Sequence, residues 1–402
     1  MNILFFSTVR IDIEDRSSLY GGLLRFFIEK GHKVCAVSPI ERKNGQRTYL
    51  RQGESYEHLF VRSLNIFETS KVEKGLSYIT LEYLFRHAIA KYWKERHFDL
   101  ILYPTPPPIF SHLIGWCKKR YSGSISYMML KDIFPQNAVD LGMMSPGGVT
   151  HRFFKKLELA TMHASDYIGC MSPANVEYVR AHYPSLPPSR IEICPNTSFP
   201  TTLKESHDSK EIRCQLGLPI DKVLFVYGGN LGKPQGIPHL LDCIRACQGK
   251  EAHFVIIGKG TEYGLVERYI LEHNLSNATL MPHLPAEKYN HLLTACDVGL
   301  ISLDGRFTFP NFPSRLLGYQ GIGLPILAVT DRVSDIGQII EKNGFGKWCP
   351  ADSTDSFSKA VDLFIANSDQ LPKWGASGHR YMLDHYTHEV AYNTIMSHFP
   401  AL

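Results

Sequence analysis

The sequence predicts an α/β protein of two successive Rossmann-like, doubly wound parallel-sheet domains facing a cleft. Three observations carry this expectation. A chain of 402 residues exceeds what one ordinary core holds and favours two domains of roughly 200 residues. Short apolar runs alternate with helical periods from the first residues onward, the pattern of parallel strands covered on both faces. The polar stretch 197–222 then interrupts the alternation, which starts afresh with glycine-rich turns at its strand ends. The reading assigns 1–200 to the first domain and 201–380 to the second. A terminal helix over 381–402 is expected to pack back onto the first.

In the first domain, residues 3–7 (ILFFS) read as a buried strand. Gly21 and Gly22 stand at the entrance of an amphipathic helix, LLRFFIEK, which Gly31 caps before the strand VCAV. A diglycine there lets a backbone approach a phosphate closely, and it equally suits a tight turn. Residues 44–75 are polar and read as an extended loop. A helix over 78–96 leads into the strand FDLILYP and the stop TPPP, followed by a helix over 111–120 with a basic end. The strand 125–130 runs into Lys131, Asp132, Ile133, Phe134 and Pro135. Ionisable residues just past a parallel strand lie where open α/β sheets keep their ligands. The helix 151–160 carries Arg152, Lys155 and Lys156 beside Phe153, Phe154 and Leu157. Such a face suits anionic lipid, and it also suits a solvated helix packed on one side. MSPAN and IEICPN repeat the strand-then-polar pattern.

The second domain opens with the strand VLFVYGG and the turn GGNLGKPQG, feeding a helix over 237–247. HFVIIGKGTE repeats the design, and ATLMPHLP and DVGLISL supply further strands. FPNFPSRLLGYQGIGLPILAVTD, residues 309–331, is a proline-punctuated turn, a short helix with Ser314 at the cap position, and the strand PILAV. The unpaired amides of a helix start favour an anion, and Arg315 adds a forked cation suited to phosphate. The same stretch also reads as an ordinary loop-helix-strand unit.

Composition excludes several classes. Apolar content of 44% with 20% charged residues describes a soluble globular chain, and a net charge of +4 is too small to argue for nucleic acid. The nine cysteines form no CxxC pair and read as reduced, mostly buried thiols of a cytosolic protein. The N-terminus enters a strand without a signal core, and the longest apolar region, 100–116, contains four prolines. The expected location is cytoplasmic, at most peripheral on the inner face of a membrane.

The motifs together resemble bacterial family 4 retaining glycosyltransferases of the GT-B fold. They are GG followed by GHKV, the strand into KDIFP, MSPANVEYV, YGGNLGKPQGI, FVIIGKGTE, MPHLP, ACDVGLISL and PNFPSRLLGYQGIGLPILA. DIFP and PSRLLGY look most like the N-acetylfucosamine-transferase-like branch that builds O-antigen and capsule sugars. The resemblance implies a nucleotide-sugar donor, a UDP-sugar, held mainly by the second domain, and a lipid-linked or oligosaccharide acceptor held by the first. It implies no cofactor and no metal, in keeping with the absence of Asp-x-Asp from the chain.

Carried over by motif, Gly21 and Gly22 approach the donor phosphate. Gly229, Asn230 and Lys233 form the diphosphate turn, and Lys259 follows the next strand. His283 and Leu284 hold the base, while Asn311, Pro313, Ser314 and Arg315 offer amides and a guanidinium. Lys131 and Asp132 are the catalytic candidates. Asp132 orients the acceptor hydroxyl or takes its proton, or else caps the strand end or pairs with a cation. A diphosphate leaving group gains charge in the transition state, so fixed cations and amides stabilise it without a metal. The resemblance further implies that the departing phosphate guides the acceptor, so that no carboxylate nucleophile is required.

The sequence also departs from the family pattern. Two glutamates eight positions apart, common in the family, are here Pro310 and Gly318. The arginine and lysine of the diphosphate turn are Asn230 and Gln235, leaving Lys233 as the substitute. These departures keep a catalytically weak binding subunit of a glycan-assembly complex open as an alternative. A sugar-nucleotide epimerase fits less well.

Overall fold

A computed structural model describes residues 1–199 and 209–400. The chain divides into one unit of residues 1–199 with 388–402 and a second of 200–387.

In the first unit the strands are β1 (Asn2–Phe6), β2 (Lys33–Glu41), β3 (Tyr49–Gln52), β4 (Tyr56–Ser63), β5 (Leu100–Thr105), β6 (Ile125–Leu130), β7 (Tyr167–Cys170) and β8 (Ile191–Ile193). The helices between them are α1 (Leu19–Glu29), α2 (Lys71–Tyr92), α3 (Ser111–Arg120), α4 (Gln136–Asp140), α5 (Val149–Ala164) and α6 (Pro173–His182). The sheet runs β3-β4-β2-β1-β5-β6-β7-β8, parallel throughout except that β3 is antiparallel to β4. Alternate residues of β1 serve two cores. Leu4 and Phe6 join Cys35, Val37, Ile101 and Tyr103 on one face, while Ile3 and Phe5 join Val34, Ala36, Leu100 and Leu102 on the other. Both faces are dry, as a doubly wound sheet requires.

The second unit holds α7 (Ser209–Gln215), β9 (Val223–Asn230), α8 (Ile237–Arg245), β10 (Ala252–Lys259), α9 (Tyr263–Glu272), β11 (Ala278–Pro282) and α10 (Ala286–Ala295). It continues with β12 (Val298–Ser302), α11 (Arg315–Gly321), β13 (Ile326–Thr330), α12 (Ile336–Lys342), β14 (Gly346–Pro350), α13 (Thr354–Ala366) and α14 (Leu371–His385). Its sheet is parallel in the order β11-β10-β9-β12-β13-β14.

Four expectations need correction. Residues 44–75 are not a loop: they contain β3, β4 and the start of α2. The run YEHLFVRS is long enough to extend the sheet beside β2, and its apolar residues are buried there. Ser70 caps α2 by accepting from the Glu73 amide. Within the expected linker, α7 is ordered because buried Arg213 donates to the Ala295 carbonyl and to Asp297; residues 200–208 lie outside the described residues. The expected terminal helix is two. α14 ends at His385 in the second unit, and α15 (His388–Met396) belongs to the first. There Tyr392 packs its ring 5.0 Å from Phe27, and Ala391 and Ile395 are fully buried. Ala401 and Leu402 lie outside the described residues.

Gly21 and Gly22 supply the fourth correction, since they sit inside α1 rather than before it. A Cβ on Gly21 would stand 2.1 Å from the Asp12 carbonyl oxygen. One on Gly22 would stand 2.5 Å from His388 Nε2. The diglycine therefore lets the 12–18 loop and α15 close onto the helix.

Eight of the nine cysteines are buried thiols and Cys214 is exposed. Among the described residues no helix is long and apolar enough to cross a membrane.

Candidate functional site

In the second unit the chemistry gathers at the C-terminal ends of β9 and β10, where two glycine turns touch. Gly229 takes φ +130°, and a Cβ on Gly258 would lie 1.9 Å from the Gly229 carbonyl oxygen. Only bare backbone allows that approach. The turns leave Gly229, Asn230, Lys233 and Lys259 exposed. Asn230 Nδ2 donates to Gln235 Oε1 at 3.2 Å, so the two residues standing for the family's cations bind each other.

Arg315, the first residue of α11, reaches back to this turn. Its guanidinium lies 4.2 Å from the centre of the Tyr227 ring, and Nη2 is 3.5 Å from where a Cβ on Gly229 would be. Nη1 is buried without a hydrogen-bond partner. The groups acting on the guanidinium are tyrosines, namely Tyr227, Tyr319 and Tyr289. Tyr319 donates to the Val226 carbonyl, accepts from the Gly228 amide at 3.0 Å and bonds Tyr289. Burial pushes the Tyr319 hydroxyl up to about 12 and that of Tyr289 higher still, so both stay neutral donors and acceptors. A buried guanidinium with an unused donor beside an exposed glycine turn is arranged for an anion.

The helix start contributes less than its sequence suggests. Ser314 is itself helical (φ −65°, ψ −18°) and its side chain makes no cap bond. The Asn311 amide is spent on Ser334 Oγ, and the Leu316 and Leu317 amides fold back on Pro313 and Ser314. The cation, rather than a free amide cradle, dominates this corner. Pro313 is half-buried in the same turn, and Pro310 is buried. A side chain at Gly318 would meet open space. His283 and half-buried Leu284 follow edge strand β11, with the His283 ring exposed.

The tyrosine cluster went unread in the sequence. Its one signal was Tyr319 four residues after Arg315, one helical turn along α11.

In the first unit, Lys131 and Asp132 follow β6 but line different cavities. Lys131 Nζ donates to the Cys194 carbonyl at 3.3 Å and lines a cavity with Tyr20, Met129 and Asn196; burial lowers its pKa. Asp132 lines a different cavity with Thr105, Phe134 and Glu158. It accepts from the Ile133 amide at 2.8 Å and from Asn137 Nδ2 at 2.6 Å. Burial outweighs both bonds and pushes its carboxyl up to about 6. The structure thus separates the two catalytic candidates and puts Glu158 of α5, which sequence reasoning passed over, beside Asp132.

Two such sheets, the second parallel and the first parallel but for its edge strand β3, make up a GT-B fold. Residues 208–380 match the family Glycosyl transferases group 1. The chain is 25% identical to the Pseudomonas aeruginosa protein named "Probable glycosyltransferase WbjE" over 298 residues, 72% of each. In fold it resembles WaaG, a glycosyltransferase involved in lipopolysaccharide biosynthesis (13% identity, 99% and 100% of the two chains, TM-score 0.68). It also resembles HepE of Anabaena, solved in complex with UDP (12% identity, 99% of each chain, TM-score 0.68). The family match and the relative support a glycosyltransferase activity.

Proposed function

We propose that the chain is a retaining, metal-independent glycosyltransferase. It moves a hexosyl or N-acetylhexosaminyl group from a UDP-sugar to a lipid-linked glycan in cell-surface polysaccharide assembly. The observation that carries this reading is Arg315: a buried guanidinium with an unused donor, set against the glycine turn that ends β9. Its positive charge, with exposed Lys233 and Lys259, offsets the charge that grows on a departing diphosphate. Asp132, its carboxyl raised towards neutrality, takes the proton of the acceptor hydroxyl. UDP in HepE and the lipopolysaccharide role of WaaG support the donor and the pathway class.

A membrane-borne acceptor is supported by exposed Arg152, Phe153 and Lys156 on α5. A second support is α2, where Val72, Leu76, Ile79 and Tyr83 form one stripe, each at least half exposed.

The test is a panel of UDP-, GDP-, CMP- and dTDP-sugars, read for released nucleotide and for thermal shift. Release of UDP is the expected result. Thermal stabilisation with no release from any donor would overturn the enzymatic reading in favour of a binding subunit.

A further inference from the structure

Glu158 has no role in that scheme, yet its surroundings are those of a functional group. Only 2% of it is exposed, and Oε1 is buried without a hydrogen-bond partner. A buried carboxylate oxygen left so costs free energy that an ordinary core position would not tolerate. Oε2 is well held: the Tyr183 hydroxyl donates to it at 2.5 Å and Lys155 Nζ lies 3.0 Å away. Its side chain lines the cavity that Asp132 also lines, between the ends of β5 and β6 and helix α5. That cavity measures about 10 Å³, close to the space one water occupies. A third buried group on its wall, Thr105 Oγ1, likewise has no partner. The walls of this space thus hold three polar residues, Thr105, Asp132 and Glu158, the number of partners a buried water normally has.

We propose that Glu158 is the positioning partner of Asp132 in a water-linked carboxylate pair that shares one proton. Two carboxylates on the walls of one small cavity repel each other when both are ionised, so the protons leave in two steps. The charged and titratable groups facing the pair are Lys155 on α5, Tyr183 just past α6, and Tyr178 further off. Lys155 is the cation among them, and Asn137 and the Ile133 amide supply neutral bonds to Asp132. Burial holds both carboxyls above their ordinary values.

The pairing deepens the proposed reaction and rests on it for its purpose. As the acceptor oxygen bonds to the anomeric carbon, the bond from that carbon to the phosphate oxygen breaks and its electron pair leaves with the diphosphate. The hydroxyl proton passes to Asp132, and the pair redistributes it through the water to Glu158. Glu158 thereby decides the pH at which Asp132 is free to accept.

Two measurements separate the pair from the reaction. In the first, a carboxyl ¹³C titration follows Glu158 in the intact chain and in Asp132→Asn. Loss of the neighbouring charge should lower the pH at which Glu158 titrates by about half a unit or more. A titration unmoved by Asp132→Asn overturns the pair whatever the enzyme does. In the second, Glu158→Gln should move the acidic limb of the kcat–pH profile to lower pH by a similar amount, because Asp132 then titrates alone. A limb that stays in place while the ¹³C coupling is present overturns the catalytic role of the pair.

Discussion

Arg315→Ala tests the anion site most directly, because its effects on stability and on turnover are expected to separate. On the folded side the substitution removes a guanidinium 4.2 Å above the Tyr227 ring. Such a contact is worth about 0.5–2 kcal/mol. It also removes the buried Nη1, whose lack of a partner costs about 1–3 kcal/mol. These contributions oppose each other, so the loss of stability is at most about 1 kcal/mol and the Tm should fall by no more than about 2–4 °C. On the catalytic side, a donor lost from a comparable anion hole costs about 2.7–4 kcal/mol, a factor of roughly 10²–10³ in kcat. The minimum consistent with a phosphate contact is about tenfold, or 1.4 kcal/mol. The assay is nucleotide release at saturating donor, normalised to folded protein by circular dichroism, with Arg315→Lys alongside. Lysine keeps the charge but not the fork and should fall between the two. A lowered Tm with turnover per folded molecule intact would refute the reasoning and leave Arg315 as a brace for β9.

Three further outcomes are expected. EDTA should leave transfer intact, since Lys233, Lys259 and Arg315 carry the phosphate charge; loss of activity restored by magnesium or manganese would contradict this. Gly22→Ala should lower stability by about 1–3 kcal/mol, because the new methyl meets His388 Nε2 at 2.5 Å and the Arg16 carbonyl at 2.7 Å. Unchanged melting with raised donor KM would instead restore the phosphate role to the diglycine. Vesicles rich in anionic lipid should co-sediment the protein at low salt and release it at high salt, with about 1 kcal/mol lost per basic residue reversed. The reversal is best confined to Arg152 and Lys156, because Lys155 is tied to Glu158. Equal recovery on neutral vesicles would argue for a soluble acceptor.

The sequence by itself determined the two-sheet architecture. Runs such as ILFF, VCAV and VLFVY carry apolar side chains at every position, and only a strand covered on both faces buries both sets. It also determined the glycine turns after β9 and β10, since backbones meeting as Gly229 and Gly258 do admit no side chain. Polar residues misled where long-range pairing outweighed local composition. The strand Tyr56–Ser63 carries Glu57, His58 and Arg62, yet eight residues of register against β2 hold it in the sheet. The C-terminal segment reads as one continuous helix, but its second half finds its apolar partners, Phe26 and Phe27, on α1.

The site was legible as a set of residue types and not as an arrangement. Lys131 and Asp132 are neighbours in the chain, yet past the end of β6 they line different cavities. Glu158 is 26 positions from Asp132 in sequence and shares its cavity, because α5 crosses the end of β6. Arg315 lies 86 residues beyond Gly229, and parallel pairing of β9 with β12 and of β12 with β13 brings α11 to that turn. Residue chemistry is local and survives in a sequence. Which charges lose their water, and which lose it together, is decided only when distant strands pair.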